Sequence, residues 1–288
     1  MLRLENIKKV YSQKTVINDL SIEFSKGVYA LLGSNGAGKT TLINIICGLI
    51  KPSGGKVFFD NKELSINRNH LLNKFSYLPQ NFSCYPEFSA IDFLRYMGLL
   101  KGITENLDEK CEELLELVGL TSVLNNKIKT FSGGMKQRLG IAQTLLNDPK
   151  VLILDEPTVG LDPKERIRFR NLISSLSKDK IVILSTHIVG DIESIANDII
   201  ILKEGSIIDI GNPNYFLNKL DGKVWEVITD FYNAEKFKND YVISNQKIVG
   251  DDIVLRLISD NKPTDNAIMQ IPNFEDVYLY YFPNKGES

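Results

Sequence analysis

The chain has 288 residues, of which 43% are apolar and 24% charged, so it can bury one large core or two modest ones. Its formal net charge is −2 and no basic face stands out, which argues against nucleic acid as a main partner. Three scattered cysteines (Cys47, Cys84, Cys111) lack C-x-x-C spacing, and His70 and His187 are the only histidines, so the pattern excludes a disulfide framework, structural zinc and a His-rich metal site.

The segment Met1-Leu2-Arg3-Leu4-Glu5-Asn6 carries an early acid and no long apolar run, unlike a secretory leader. No stretch approaches the roughly 18 uninterrupted apolar residues that cross a bilayer, so any membrane role needs another chain. Residues 1–27 alternate apolar and polar and predict antiparallel strands joined by a turn near Ser12-Gln13-Lys14. Val28-Tyr29-Ala30-Leu31-Leu32 reads as a buried strand and Thr41-Leu42-Ile43-Asn44-Ile45-Ile46 as a helix. Between them, Gly33-Ser34-Asn35-Gly36-Ala37-Gly38-Lys39-Thr40 fits G-x-x-x-x-G-K-[ST], the phosphate-binding loop of nucleotide triphosphatases. Its glycines let backbone N–H groups turn inward around an anion, and the following helix N-terminus adds positive potential. Lys39 can then reach the β- and γ-phosphates, Thr40 can offer a hydroxyl to Mg²⁺, and Thr41 follows in the same turn.

Pro52-Ser53-Gly54-Gly55 predicts a turn and Lys56-Val57-Phe58-Phe59 a short strand. Residues 81–147 lack strand patterning; Ile91–Tyr96 and Cys111–Leu117 have helical spacing, so this region reads as a helical insertion. Val151-Leu152-Ile153-Leu154 and Ile181-Val182-Ile183-Leu184 are continuous apolar runs of the kind that form buried parallel strands. The first ends in Asp155-Glu156-Pro157, two acids at the carboxyl end of a strand, where open α/β sheets bind ligands. Asp155 suits Mg²⁺ and Glu156 suits polarisation of an attacking water. Asp162-Pro163-Lys164-Glu165 predicts a helix start, with Asp162 as cap and Pro163 in the first position. After Asp221-Gly222-Lys223 the spacing changes: Val224–Thr229 and Ile253–Ile258 alternate like half-buried strands, and Asp276–Phe282 suits a short helix.

Phe131-Ser132-Gly133-Gly134-Met135-Lys136-Gln137-Arg138 resembles the L-S-G-G-Q signature of ATP-binding-cassette (ABC) ATPases. Taken alone it is also a plain Ser-Gly-Gly helix start, just as the acid pair alone fits a solvated strand end. The remaining family elements stand in order: Tyr11 at the adenine-stacking position, Gln80 as the glutamine that senses Mg²⁺, Val159-Gly160-Leu161-Asp162 as the D-loop, and His187 as the switch histidine at the γ-phosphate. Three have a bland alternative: Tyr11 as a strand surface aromatic, Gln80 as a solvated loop amide, and His187 as a capping or core histidine. The resemblance covers about residues 1–220. The signature departs at Phe131 and Met135, in a form similar to that of bacterial drug, antibiotic and lantibiotic exporters.

The resemblance implies an α/β fold: a P-loop cassette over residues 1–221, with a mixed-sheet core, an antiparallel β subdomain and the helical insertion at about 81–147. A small α+β appendage follows at 222–288. It implies an ATPase using ATP and Mg²⁺, with Lys39, Glu156 and His187 catalytic and with Thr40, Gln80 and Asp155 at the metal. Tyr11, residues 33–41, Gln80, Ser132, Gly133, Gly134 and Asp162 would contact nucleotide. Because Ser132 and the phosphate loop cannot fold onto one ATP, a head-to-tail dimer of two cassettes is expected. The implied partners are that second cassette, as a homo- or heterodimer, and an integral membrane permease at the cytoplasmic face of the membrane, with docking at Asn81–Phe88. Export is the leading expectation; an importer subunit and a non-transport repair- or translation-type ATPase are the alternatives. The single cassette and the short span between Gln80 and Ser132 weigh against the last.

Overall fold

The computed structural model describes residues 1–66, 71–186 and 188–283. The chain divides into two compact units, Met1–Ile210 and Gly211–Ser288.

In the first unit, β1 (Leu2–Tyr11) and β2 (Lys14–Phe24) form a hairpin, with Leu2 opposite Phe24 and Tyr11 opposite Lys14. Alternate residues of β1 and β2, such as Leu2, Leu4, Ile17 and Phe24, are buried, which is the period-two pattern made physical. There follow β3 (Gly27–Leu32), α1 (Lys39–Ile46), β4 (Gly54–Phe59), β5 (Lys62–Glu63) and β6 (Phe75–Leu78). Next come α2 (Ala90–Leu100), α3 (Leu107–Leu117) and α4 (Gly133–Leu145). Ser89 and Ser132 cap α2 and α4 by accepting from the backbone N–H groups of Asp92 and Met135. These three helices pack on one another, and α4 also packs on β6. Then come β7 (Val151–Asp155), α5 (Pro163–Leu176), β8 (Ile181–Ser185), α6 (Val189–Ile195), β9 (Asp198–Lys203) and β10 (Ser206–Gly211).

Two sheets result, ordered β2-β1-β4-β5 and β10-β9-β3-β8-β7-β6. From β9 to β6 the second sheet is parallel. Every residue of β3, β7 and β8 is buried, as a parallel sheet covered on both faces requires. Strand β8 lies between β3 and β7, so the carboxyl ends of β3, β8, β7 and β6 line one edge in that order. Apolar side chains from both sheets and α1 share one core, among them Leu4, Phe24, Leu31, Ile43, Phe59, Ile153 and Ile183.

The second unit holds α7 (Pro213–Lys219), β11 (Val224–Thr229), α8 (Phe231–Asp240), β12 (Val242–Val249), β13 (Asp252–Ile258), β14 (Ile268–Met269) and α9 (Phe274–Tyr281). Its antiparallel sheet runs β12-β13-β11-β14. Trp225, Val227, Leu257 and Ala267 make one cluster, and Ala234, Ile253 and Leu255 another. Arg256 and the fully buried Asp276 pair at 2.7 Å, and Asp276 completes a capping box with Asn273. The division falls earlier than the 221/222 boundary expected from composition. Asp221-Gly222 is a turn inside the second unit, which brings buried Phe216 of α7 edge-on to Tyr281 of α9 at 5.8 Å.

Candidate functional site

The phosphate loop is fixed by close approaches that only glycine permits. At Gly38 φ is +107°, and a Cβ there would lie 2.9 Å from the Val16 carbonyl oxygen. At Gly33 a Cβ would lie 2.5 Å from the Leu202 carbonyl oxygen. Because Gly38 heads α1 with no side-chain cap, the first N–H groups of the helix are left for an anion. Ser34, Asn35 and Gly36 are exposed on the loop, Ala37 is buried, Thr40 is exposed and Thr41 half-buried. Lys39 is only 9% exposed, and its Nζ donates to the carbonyls of Gly33 at 2.7 Å and Ser34 at 3.2 Å. Burial pulls its pKa below the ordinary lysine value, while the carboxylates of Glu156 and Asp155 pull it back up. The cation therefore sits in the field of Asp155, which ends β7, and of Glu156, which follows it.

Asp155 is 5% exposed and ends β7. Ser185 Oγ donates to its Oδ1, and the Tyr77 hydroxyl donates to Oδ2 at 3.4 Å. Ser185 also receives the Glu156 N–H, at 3.0 Å on its carbonyl and 3.2 Å on its hydroxyl. Glu156 has φ +49°, a left-handed backbone that costs a non-glycine residue about 1–2 kcal/mol. The two hydrogen bonds from its N–H hold that turn, which sends Glu156 off the strand line at the sheet edge where Lys39 lies. Burial and the Asp155 charge push the thiol of neighbouring Cys47 up to about 12 and also raise the Tyr77 phenol. Tyr77 and Ser185 carry no motif and escaped the sequence reading; the signal for them is their register, one residue from the end of β6 and the last of β8.

The other expected residues are distributed as follows. Gln80 is exposed just past β6, on the same sheet edge as Asp155. Tyr11 is 46% exposed at the end of β1, with Lys9 Nζ 4.9 Å from its ring centre. Ser132 and Gly133 are exposed at the head of α4, in the helical layer and not in the loop formed by β3 and α1, while Gly134 is buried against Glu165. Asp162 spends one carboxylate oxygen capping α5, accepting from Glu165 N–H at 2.8 Å. Arg138 of α4 pairs with Glu165 of α5 at 3.0 Å, tying the signature helix to the helix after the D-loop. His187 and His70 lie outside the described residues; beside His187, buried Thr186 accepts from Ile188 N–H at 3.0 Å. The aromatics of Asn81–Phe88 differ in exposure. Phe82 is edge-on to buried Phe93, while Tyr85 is 50% exposed and clusters with Phe88 and Tyr96. Phe82, Tyr85 and Phe93 line a groove of about 450 Å³. Among the described residues no helix is long and apolar enough to cross a membrane.

The family model described as "ABC transporter" matches residues 17–159. The linearmycin resistance ATP-binding protein LnrL of Bacillus subtilis (strain 168) is 36% identical over 77% of this chain and 72% of its own length. The lantibiotic transport ATP-binding protein SrtF of Streptococcus pyogenes is 39% identical over 72% of this chain and 89% of its own. Among solved structures, the dimeric post-hydrolysis state of the ATP-binding cassette MJ0796 with ADP and Pi superposes with a TM-score of 0.67. It is 26% identical and covers 74% of this chain and 99% of that one.

Proposed function

This chain belongs to the ATP-binding subunits of ABC transporters and is an ATPase of that kind, and from that premise we propose that it powers an exporter by closing on ATP as a dimer of cassettes. The observation that carries the reading is the sheet edge, where the buried Lys39 ammonium in a glycine loop shares the field of Asp155 and Glu156.

The loop N–H groups and Lys39 bind and neutralise the ATP phosphates, the preorganised electrostatics that dominate phosphoryl transfer. Glu156 orients the attacking water and takes its proton; His187 holds the γ-phosphate in line. Tyr11 stacks on adenine. Ser132, Gly133, Gly134 and Asp162 of a second cassette complete the site across the dimer, so ATP favours closure and its hydrolysis reopens the pair.

The donor set fits Mg²⁺: an exposed Thr40 hydroxyl, a doubly hydrogen-bonded Asp155 carboxylate and the Gln80 amide are hard oxygen ligands. Among the described residues no cluster of three His, Cys, Asp or Glu could hold a metal, which suits an ion shared with substrate phosphates. When bound, Mg²⁺ adds positive charge at the phosphate oxygens.

Similarity to a linearmycin resistance protein and a lantibiotic transport protein supports export. The partner is a membrane permease seated in the aromatic groove at Tyr85, which puts the chain at the cytoplasmic membrane face. The test is Glu156→Gln with MgATP. Binding is kept, turnover falls about 10²–10⁴-fold, and light scattering gives a stable dimer. Wild-type turnover in the variant would refute the base, and a monomer would refute the sandwich.

A further inference from the structure

The two oxygens of Asp155 are held from opposite neighbours in the sheet. Ser185 on β8 donates to Oδ1 and Tyr77 on β6 to Oδ2. The two tethers differ in what lies behind them. Ser185 is fully buried and also fixes Glu156 through the turn. Tyr77 is half-buried on the edge strand β6, and Tyr77, Leu78 and Pro79 are consecutive residues that all line the aromatic groove with Phe82, Cys84 and Tyr85. The backbone that floors the groove is therefore the backbone that aims the phenol at the acid.

We infer that Tyr77 is a positioning residue that orients the Asp155 carboxylate for a metal. The assignment rests on the magnesium role proposed above for Asp155. A carboxylate offers about four lone-pair directions. With one donor on each oxygen the rotation of the acid is restricted, which favours one direction for the remaining lone pairs. Without the phenol, Oδ2 is free and the acid turns about its single tether. Hydrogen-bonding partners of metal ligands commonly contribute 10–100-fold in metal affinity.

The experiment titrates Mg²⁺ into the full chain with a fluorescent non-hydrolysable ATP analogue, for wild type and Tyr77→Phe. The substitution removes one oxygen and keeps the ring, so the thermal midpoint and the Mg²⁺-free nucleotide affinity serve as controls for a merely structural effect. The expected result is unchanged controls and a Mg²⁺ requirement raised about 10-fold. Superimposable Mg²⁺ curves would overturn the assignment. A wild type that binds nucleotide without any Mg²⁺ dependence would instead sink the metal role of Asp155.

Discussion

Replacing Lys39 by Met separates a phosphate-binding lysine from a loop strut. In the fold, Nζ holds the carbonyls of Gly33 and Ser34 at 2.7 and 3.2 Å. Phosphate binding exchanges those partners for anionic oxygens. A hydrogen bond to a charged group contributes about 1.5–3 kcal/mol, so removing one such contact predicts roughly 10- to 150-fold weaker ATP binding. Stability should move much less. Burial lowers the Lys39 pKa, so the folded state bears a cost for carrying the charge, and Met removes that cost along with the two carbonyl bonds. These terms oppose each other, and the expected net change is within about 1 kcal/mol. The assay is equilibrium titration with a fluorescent ATP analogue in EDTA, beside a thermal melt. Unchanged affinity would refute the role of Lys39. Loss of stability by several kcal/mol would show that the lysine holds the loop and not the ligand.

Other parts of the molecule make separate predictions. Burial lowers the Lys101 pKa to about 8. The unfolded chain then binds the extra proton between pH 8 and the ordinary lysine value of 10.5. Over that window wild type should gain stability relative to Lys101→Met, as read from chemical denaturation at several pH values. Burial pushes the Cys47 and Cys111 thiols up to about 12 and about 11. Mass spectrometry after brief iodoacetamide treatment at pH 8 should find half-buried Cys84 labelled first, and all three only in denaturant. Arg256→Leu leaves Asp276 buried without its 2.7 Å partner, which should cost about 3–5 kcal/mol and appear as an early unfolding transition of the second unit.

The strands and helices that carry chemistry were legible because their residues are punctuated by rules of backbone geometry. Buried apolar runs became β7 and β8, the Gly-rich loop separated β3 from α1, and Asp162-Pro163 began α5 as its cap. The hairpin turn at Ser12 was read correctly for the same reason. What stayed hidden depends on register between distant strands. Nothing local marks Tyr77 or Ser185 as partners of Asp155, because β6, β7 and β8 are adjacent only after folding. The compact units divide ahead of the polar turn at Asp221, because a Gly turn between two packed elements looks, in composition, like a linker; α7 groups with the unit that follows. Asp162 shows the converse: its capping role was legible, and that role now occupies an oxygen expected at the nucleotide.

The central claim is that this ATPase drives a membrane permease. It is tested most directly by affinity capture of tagged Glu156→Gln from detergent-solubilised native membranes with MgATP, followed by mass spectrometry of the co-purified chains. The account predicts a polytopic membrane protein in stoichiometric amount, dependent on MgATP. Recovery of ribosomal or nucleic-acid-processing proteins alone would contradict it.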